Sequence, residues 1–342
     1  MQGFSARLLS VPKIAGQRNL ALHVILLWTN CSLPIVHYSL SIASLAGDRQ
    51  INLFWIYCQN GGIMMTVRHF FISILIVATG CGSPIPTVPE QQEQGLRYDP
   101  SQTILIHEGN FLMGSNEWAD PERPAHTVFL NPFRIDKYEV TNERYIFFLQ
   151  DVSTLENAAG NELVDIDDND LGIGFTDNGL EVLDPTKTNH PIIEVSWYGA
   201  ASFCFWAGGR LPTESEWEKA ARGVEGQHFP WSNEPLTGSL VTGWAIEGPT
   251  ASVGTHDIDK SPYGVFDMGG NIAEWVNDWY TSNYYADSPE QNPLGPEEGT
   301  HRVARGGATS PYPQDMRATV RRRYRPGTTS RAIGFRCVYD VE

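Results

Sequence analysis

Tyr263-Gly-Val-Phe-Asp-Met-Gly-Gly-Asn-Ile-Ala-Glu-Trp275 is the stretch on which the reading of this chain turns. The chain around it shares its character. With 10 Trp, 32 Gly and 22 Pro among 342 residues, it reads as a loop-rich fold pinned by large aromatics, not a helical bundle. Hydrophobic residues make up 41% and charged residues 19%, which suits a globular protein and excludes a mainly disordered chain. The length fits one or two domains.

Immediately upstream, Arg210-Leu-Pro-Thr-Glu-Ser-Glu-Trp-Glu-Lys-Ala-Ala-Arg-Gly223 predicts a helix. Thr213 and Glu216 form a capping box, in which each side chain satisfies an otherwise unpaired backbone donor. Trp217, Ala220 and Ala221 share a face, and Gly223 stops the helix. Ser196 caps a second helix over Trp197–Ala207, ended by Gly208-Gly209, and Thr141 a third over Asn142–Gln150. Thr103–Ile106 and Thr127–Leu130 read as short strands. No internal repeat is present, so the expectation is a single compact α+β domain with much ordered loop.

Net charge is −16, which repels phosphate backbones and argues against a nucleic-acid partner. The five cysteines, Cys31, Cys58, Cys81, Cys204 and Cys337, form no CxxC or other metal-ligand spacing. Asp165-Ile-Asp-Asp-Asn-Asp170 invites an EF-hand reading. It fails, because the sixth position is not Gly and the twelfth is Thr176 instead of Glu. The acidic segment 151–190 is expected to be a solvated insertion.

Several blocks, taken in order, resemble the formylglycine-generating enzyme (sulfatase-modifying factor) family. They are Phe111-Leu-Met-Gly-Ser115, Asp136-Lys-Tyr-Glu-Val-Thr-Asn142, His190-Pro-Ile-Ile-Glu-Val-Ser-Trp197, Gly209–Trp217, the Tyr263–Trp275 stretch, Arg305-Gly-Gly307 and Ile333-Gly-Phe-Arg-Cys337. The resemblance covers about residues 101–340. It implies a C-type-lectin-like fold with little regular secondary structure.

The resemblance also carries site residues. It implies a structural calcium ion held by Asp267, Gly270, Ile272 and Glu274, two carboxylates and two carbonyls suited to a hard cation. It implies a disulfide between Cys204 and Cys337, and a second family disulfide whose positions here are both alanine, Ala221 and Ala318. The family's chemistry, oxidation of a substrate cysteine to formylglycine, uses two copper-binding cysteines just after the Gly-Gly turn. Those positions fall near Ala308, Pro311 and Pro313, and no cysteine lies between Cys204 and Cys337. Copper(I) wants soft sulfur ligands, so no copper is expected and catalytic residues are expected to be none.

The N-terminus reads as an address. Met64-Met-Thr-Val-Arg-His-Phe-Phe-Ile-Ser-Ile-Leu-Ile-Val-Ala-Thr-Gly-Cys81 has a short positive region, an apolar run too short to anchor a helix, and small residues before Cys81. It resembles a bacterial lipoprotein signal with lipid on Cys81, although Ala78 stands where the pattern prefers Leu; an ordinary signal peptide is the rival. The expected organisation is a spurious or disordered extension over 1–63, a signal over 64–81, a Pro/Gln-rich tether over 82–100 and the family domain over 101–342. A genuine N-terminal extension is the alternative to a start at Met64 or Met65. The expected location is the bacterial cell envelope, lipid-anchored at the outer membrane or a periplasm-facing surface, or else secreted.

Three groups of residues remain. Scattered histidines (His107, His126, His190, His228, His256, His301) show no spacing that asks for iron. Arg317, Arg321, Arg322, Arg323 and Arg325 are expected to pair with the acidic segment 151–184. Trp231, Trp244, Trp275 and Trp279 read mostly as core, with Tyr280–Tyr285 the best prospect for exposed aromatics. The functional expectation is a surface lipoprotein whose domain serves as a calcium-stabilised binding or scaffold module for a protein or glycan ligand. The alternative is a metal-dependent oxidoreductase of different chemistry on the same fold.

Overall fold

A computed structural model describes residues 97–341 apart from 119, 169–170, 178, 237–249 and 308–311, together with four short strands nearer the N-terminus. The chain divides into two compact units, Met1–Val88 and Pro89–Glu342. In the first, β1 (Ala6–Leu9) pairs antiparallel with β2 (Val24–Leu27), and β3 (Ile56–Gln59) with β4 (Gly62–Met65). Met64 and Met65 fall in β4; Cys81 and the rest of the expected signal lie outside the described residues.

The second unit is mixed helix and sheet. Strands β5 (Thr103–Ile106), β8 (Phe133–Asp136) and β15 (Val338–Asp340) form an antiparallel sheet with β8 central, so the last strand joins across β8 from β5. β6 (Gly109–Met113) and β7 (His126–Leu130) make a two-stranded ribbon. β11 (Ala273–Trp279), β12 (Arg302–Arg305), β13 (Arg321–Tyr324) and β14 (Ile333–Gly334) form a four-stranded sheet in the order β13-β12-β11-β14, with only β11–β14 parallel.

The helices begin where their caps place them. The Thr141 hydroxyl accepts the Arg144 N–H and opens α1 (Asn142–Val152), which runs two residues past its expected end before Ser153 turns left-handed. Ser196 opens α2 (Trp197–Trp206). The Thr213–Glu216 box opens α3 (Glu214–Arg222), and both reciprocal bonds are present. A short α4 (Tyr284–Asp287) follows β11.

α3 is buried well beyond the face that Trp217, Ala220 and Ala221 share. All nine of its residues are buried, including Glu214, Glu218, Lys219 and Arg222. Its charges find partners inside: Lys219 Nζ donates to the His107 and Gly109 carbonyls at 2.8 and 2.9 Å, and Arg222 Nη1 to Glu218 Oε1 at 2.8 Å.

Two large apolar cores result, with a small third cluster of Phe229, Leu236 and Met316. One gathers α1, α2, Trp275 and Phe335; the other surrounds Trp217 with β6, β7, Ala221 and Ala318. The 151–190 segment is not the solvated insertion expected. Leu163, Val164, Leu171, Ile173 and Leu180 all enter the first core, the last two from the hairpin of β9 (Ile173–Thr176) and β10 (Gly179–Val182). Acidic composition hid a minority of apolar side chains that anchor the segment. The disulfide Cys204–Cys337 ties α2 to the segment just before β15 across 133 residues of sequence. Closing a loop of that length contributes about 5 kcal/mol on the chain-entropy model.

Candidate functional site

The Tyr263–Trp275 stretch forms a tight turn that runs into β11. Asp267 and Asn271 take left-handed backbone conformations, φ 61° and 59°, which Asp and Asn tolerate better than bulkier residues. The turn gathers buried carboxylates. Asp259 accepts the Gly269 N–H at 3.0 Å and the Gly270 N–H at 2.8 Å. Asp267 Oδ2 accepts the Gly254 N–H at 2.6 Å. Glu139, just after β8, accepts Asn271 Nδ2 at Oε2 (2.7 Å), while its Oε1 is buried with no hydrogen-bond partner.

Glu274 is held differently. Arg336 clasps it through Nη2 at 2.6 Å and Nε at 2.7 Å, and Trp217 Nε1 donates to it at 2.9 Å. Arg336 is the one guanidinium bonded to any of these four carboxylates among the described residues. Its remaining donors go to the carbonyls of Asp136, Lys137 and Phe266.

Four buried acids around one cation repel one another. Burial, with the Asp267 and Glu274 charges added, raises Glu139 well above the ordinary carboxylate range. Burial and the Asp267 charge push Asp259 up to about 8, against the pull of the Gly269 and Gly270 N–H groups. Burial pushes Asp267 up to about 6, the Gly254 N–H and Arg336 opposing it. An acid-rich buried site with an orphaned carboxylate oxygen has the donor chemistry of a hard-cation site.

Of the four residues read from sequence, Asp267 has coordination capacity to spare, and Ile272, whose side chain is fully buried, has only its carbonyl to offer. Gly270 offers the other carbonyl, while Glu274 is already engaged by Arg336 and Trp217. Among the described residues no three His, Cys, Asp or Glu side chains are drawn into a closed cation-binding group. Sequence reasoning missed Glu139 and Asp259. Glu139 lay inside a quoted block, but nothing local tied it to Asn271, 132 residues away.

The Gly306-Gly307 turn packs directly on this block. Gly306 has φ +82°, and a Cβ on Gly307 would lie 2.5 Å from the Gly269 carbonyl oxygen, so both positions demand glycine. Positions 308–311, on which the expected copper-thiol positions partly fall, lie outside the described residues; Pro313 opens a short 3-10 turn. Cys204 and Cys337 are both fully buried and joined to each other. Ala221 and Ala318 are fully buried in the same core.

The arginine cluster does not pair with segment 151–184 as expected. Arg317 binds Glu122 at 2.7 Å, and Arg321 binds Glu214 at 2.7 Å. Arg322 Nε donates to the Gly306 carbonyl, while Arg323 lies over the Tyr280 ring. The ladder of β12 with β13 turns these side chains toward the domain's own helix and turns. Nor is Tyr280–Tyr285 an exposed aromatic stretch: Tyr285 is 2% exposed, against Arg305 and Arg321, and Tyr280 and Tyr284 are half-buried. Trp275 is core as expected, Trp231 and Trp279 are half-buried, and Trp244 lies outside the described residues. The histidines stay scattered in local contacts; His190 Nδ1, for example, bonds the Thr250 hydroxyl.

Residues 87–341 match the family described as the sulfatase-modifying factor enzyme 1-like domain. The formylglycine-generating enzyme of Streptomyces coelicolor is 33% identical over 301 residues, covering 75% of this chain and 96% of that protein. The serine/threonine-protein kinase pkn1 of Chlamydia caviae is 34% identical over 258 residues, 74% of this chain but 40% of its own length. The chain thus spans about two fifths of that relative. PvdO from Pseudomonas aeruginosa shares the fold at TM-score 0.56 and 22% identity, covering 70% of this chain and 94% of that one.

Proposed function

This chain belongs to the sulfatase-modifying factor enzyme 1-like domain family, and from that premise we propose that it acts as a calcium-braced binding or scaffold module without formylglycine-generating activity. The observation that carries the reading is the Cys204–Cys337 disulfide. It consumes both cysteines of the family domain, so no thiol remains between residues 101 and 342 to take a soft metal.

Asp267 with the Gly270 and Ile272 carbonyls would hold the calcium ion, with the orphaned Glu139 oxygen as a further donor, and Glu274 would join them by sharing an oxygen that Arg336 or Trp217 already bonds. A bound divalent cation would neutralise part of the carboxylate excess and cross-brace loops that little regular structure holds. Cys81 would carry lipid and place the module on the bacterial envelope, where it meets a protein or glycan ligand.

The test is metal analysis of the purified full chain by mass spectrometry, with thermal melts before and after chelation. Calcium near one equivalent and a lower melting temperature after chelation are expected, together with no formylglycine in a cysteine-bearing sulfatase peptide. Stoichiometric iron or copper would replace this reading with the metal-dependent oxidoreductase.

A further inference from the structure

A cavity of about 690 Å³ opens beside the start of α2, lined by Tyr198, Thr300, His301, Arg325, Pro326 and Thr328. No Asp or Glu lines it, in a chain with 40 acidic residues against 24 Lys and Arg. Arg325 is exposed and makes no ion pair among the described residues. His301 Nδ1 is engaged with the Thr300 hydroxyl at 2.9 Å, which leaves Nε2 to face a ligand. The cavity thus combines one guanidinium outside any ion pair with the Asn161 amide, two threonine hydroxyls and the His301 imidazole.

One wall is stiff. The Arg302 guanidinium, next to His301, lies between the indoles of Trp197 (3.8 Å to the ring centre) and Trp279 (3.5 Å). Tyr198 meets Trp197 edge-to-face at 5.7 Å. Trp197 is fixed twice, by its N–H to the Pro326 carbonyl at 2.9 Å and by Nε1 to the Val276 carbonyl at 2.9 Å. Arg302 Nη1 donates to the Asn277 carbonyl, while its Nε has no partner. Burial pushes Arg302 down to about 10, opposed by Asp278 and Tyr198, so it stays cationic at neutral pH and adds positive potential beside the cavity.

We propose that this cavity is a subsite for an acidic saccharide, whose carboxylate or sulfate is taken by Arg325. Tyr198 offers an aromatic surface for the apolar face of a sugar ring, and Thr300, Thr328 and His301 match its hydroxyls. A single free guanidinium fits one acid group in the ligand, and the −16 charge of the chain disfavours a polyanion of any kind. The inference rests on the binding-module reading and names the ligand class for it.

The experiment is isothermal titration of the full chain in detergent with an otherwise neutral trisaccharide carrying one terminal galacturonate, its methyl ester and the same neutral trisaccharide carrying one sulfate. Binding of the uronate or the sulfated sugar is expected, with the ester at least tenfold weaker. Arg325→Gln should weaken acid binding at least tenfold with an unchanged melting temperature. Arg123→Gln, which removes an exposed guanidinium elsewhere, should leave binding unaltered. No heat with either acid, equal binding of the ester, or equal losses from the two arginine variants would overturn the subsite. Formylglycine formed in a cysteine peptide would instead overturn the module reading beneath it, whatever the saccharides do.

Discussion

Two clusters of buried carboxylates lie in this domain, and they are balanced in opposite ways. Around α3, Glu214 and Glu218 meet Arg222, Arg305 and Arg321. Arg305 reaches Glu214 at 3.1 Å, Arg321 reaches it at 2.7 Å, and Arg222 holds Glu218 at 2.8 Å. Burial alone would raise Glu218, yet Arg305, Arg222 and the Gly114 N–H outweigh it and hold the group below the ordinary range. Around the Tyr263–Trp275 turn, Glu139, Asp259, Asp267 and Glu274 share Arg336, and three of them are driven upward. Where the chain supplies its own cations Glu218 is held ionised and structural, although burial and the Glu214 charge push the neighbouring Asp278 upward. Where it does not, the remaining negative charge suits a divalent ion.

The largest expected effect strikes the balanced cluster. Arg305→Met leaves Glu214 to Arg321 alone and Glu218 to Arg222 alone in the interior, and losing one partner of a buried pair costs about 3–5 kcal/mol. Denaturant unfolding should show that loss equally in calcium and in chelator. A calcium-dependent loss would mean that the two clusters are one.

Glu139→Gln tests the other cluster with the opposite sign. In chelator the variant should be more stable than the parent at neutral pH, by about 1–3 kcal/mol, because folding forces the Glu139 carboxyl, raised by burial and by Asp267 and Glu274, to take up a proton that an amide does not need. In calcium at a hundred times its Kd the parent should gain about 2.7 kcal/mol, and the variant much less. Thermal melts in the two buffers check this, and a destabilised variant in chelator would break the contrast.

Acid separates the clusters more gently. The folded-state value of Glu218 is lowered, so its stabilisation is present above the ordinary glutamate value of 4.5 and fades as pH falls below it. The urea midpoint should therefore drop as pH falls through that range, and Glu218→Gln should flatten this part of the drop while lowering stability at neutral pH. The smallest effect is expected at the rim. Arg210 and Asp340 pair at 2.9 Å, but Asp340 is 79% exposed, so Asp340→Ala should cost at most about 0.5 kcal/mol in the same assay.

Much of the frame was legible in the sequence, because its signals are local. Thr141, Ser196 and the Thr213–Glu216 box named the helix starts, since a cap bonds a donor two or three residues away. The Ile104–Ile106 and Val128–Leu130 runs named strands for the same reason. What misled was composition. The shared face of Trp217, Ala220 and Ala221 did not reveal that the whole of α3 is buried, and the acidity of 151–190 concealed Leu163, Val164 and Ile173. For the site, Asp267 and Glu274 could be named from their block, but not the Arg336 grip on Glu274 or the arrival of Glu139.

By itself the sequence determined the helix ends, the supply of cysteines in the family domain and the glycine-bearing turn beside Asp267. Tertiary structure alone decided which charges meet. Arg305 and Glu214 are 91 residues apart, and Arg317 and Glu122 are 195 apart. A cap is closed by backbone geometry within one turn, whereas a buried ion pair forms only where packing brings distant segments together and removes the water between them.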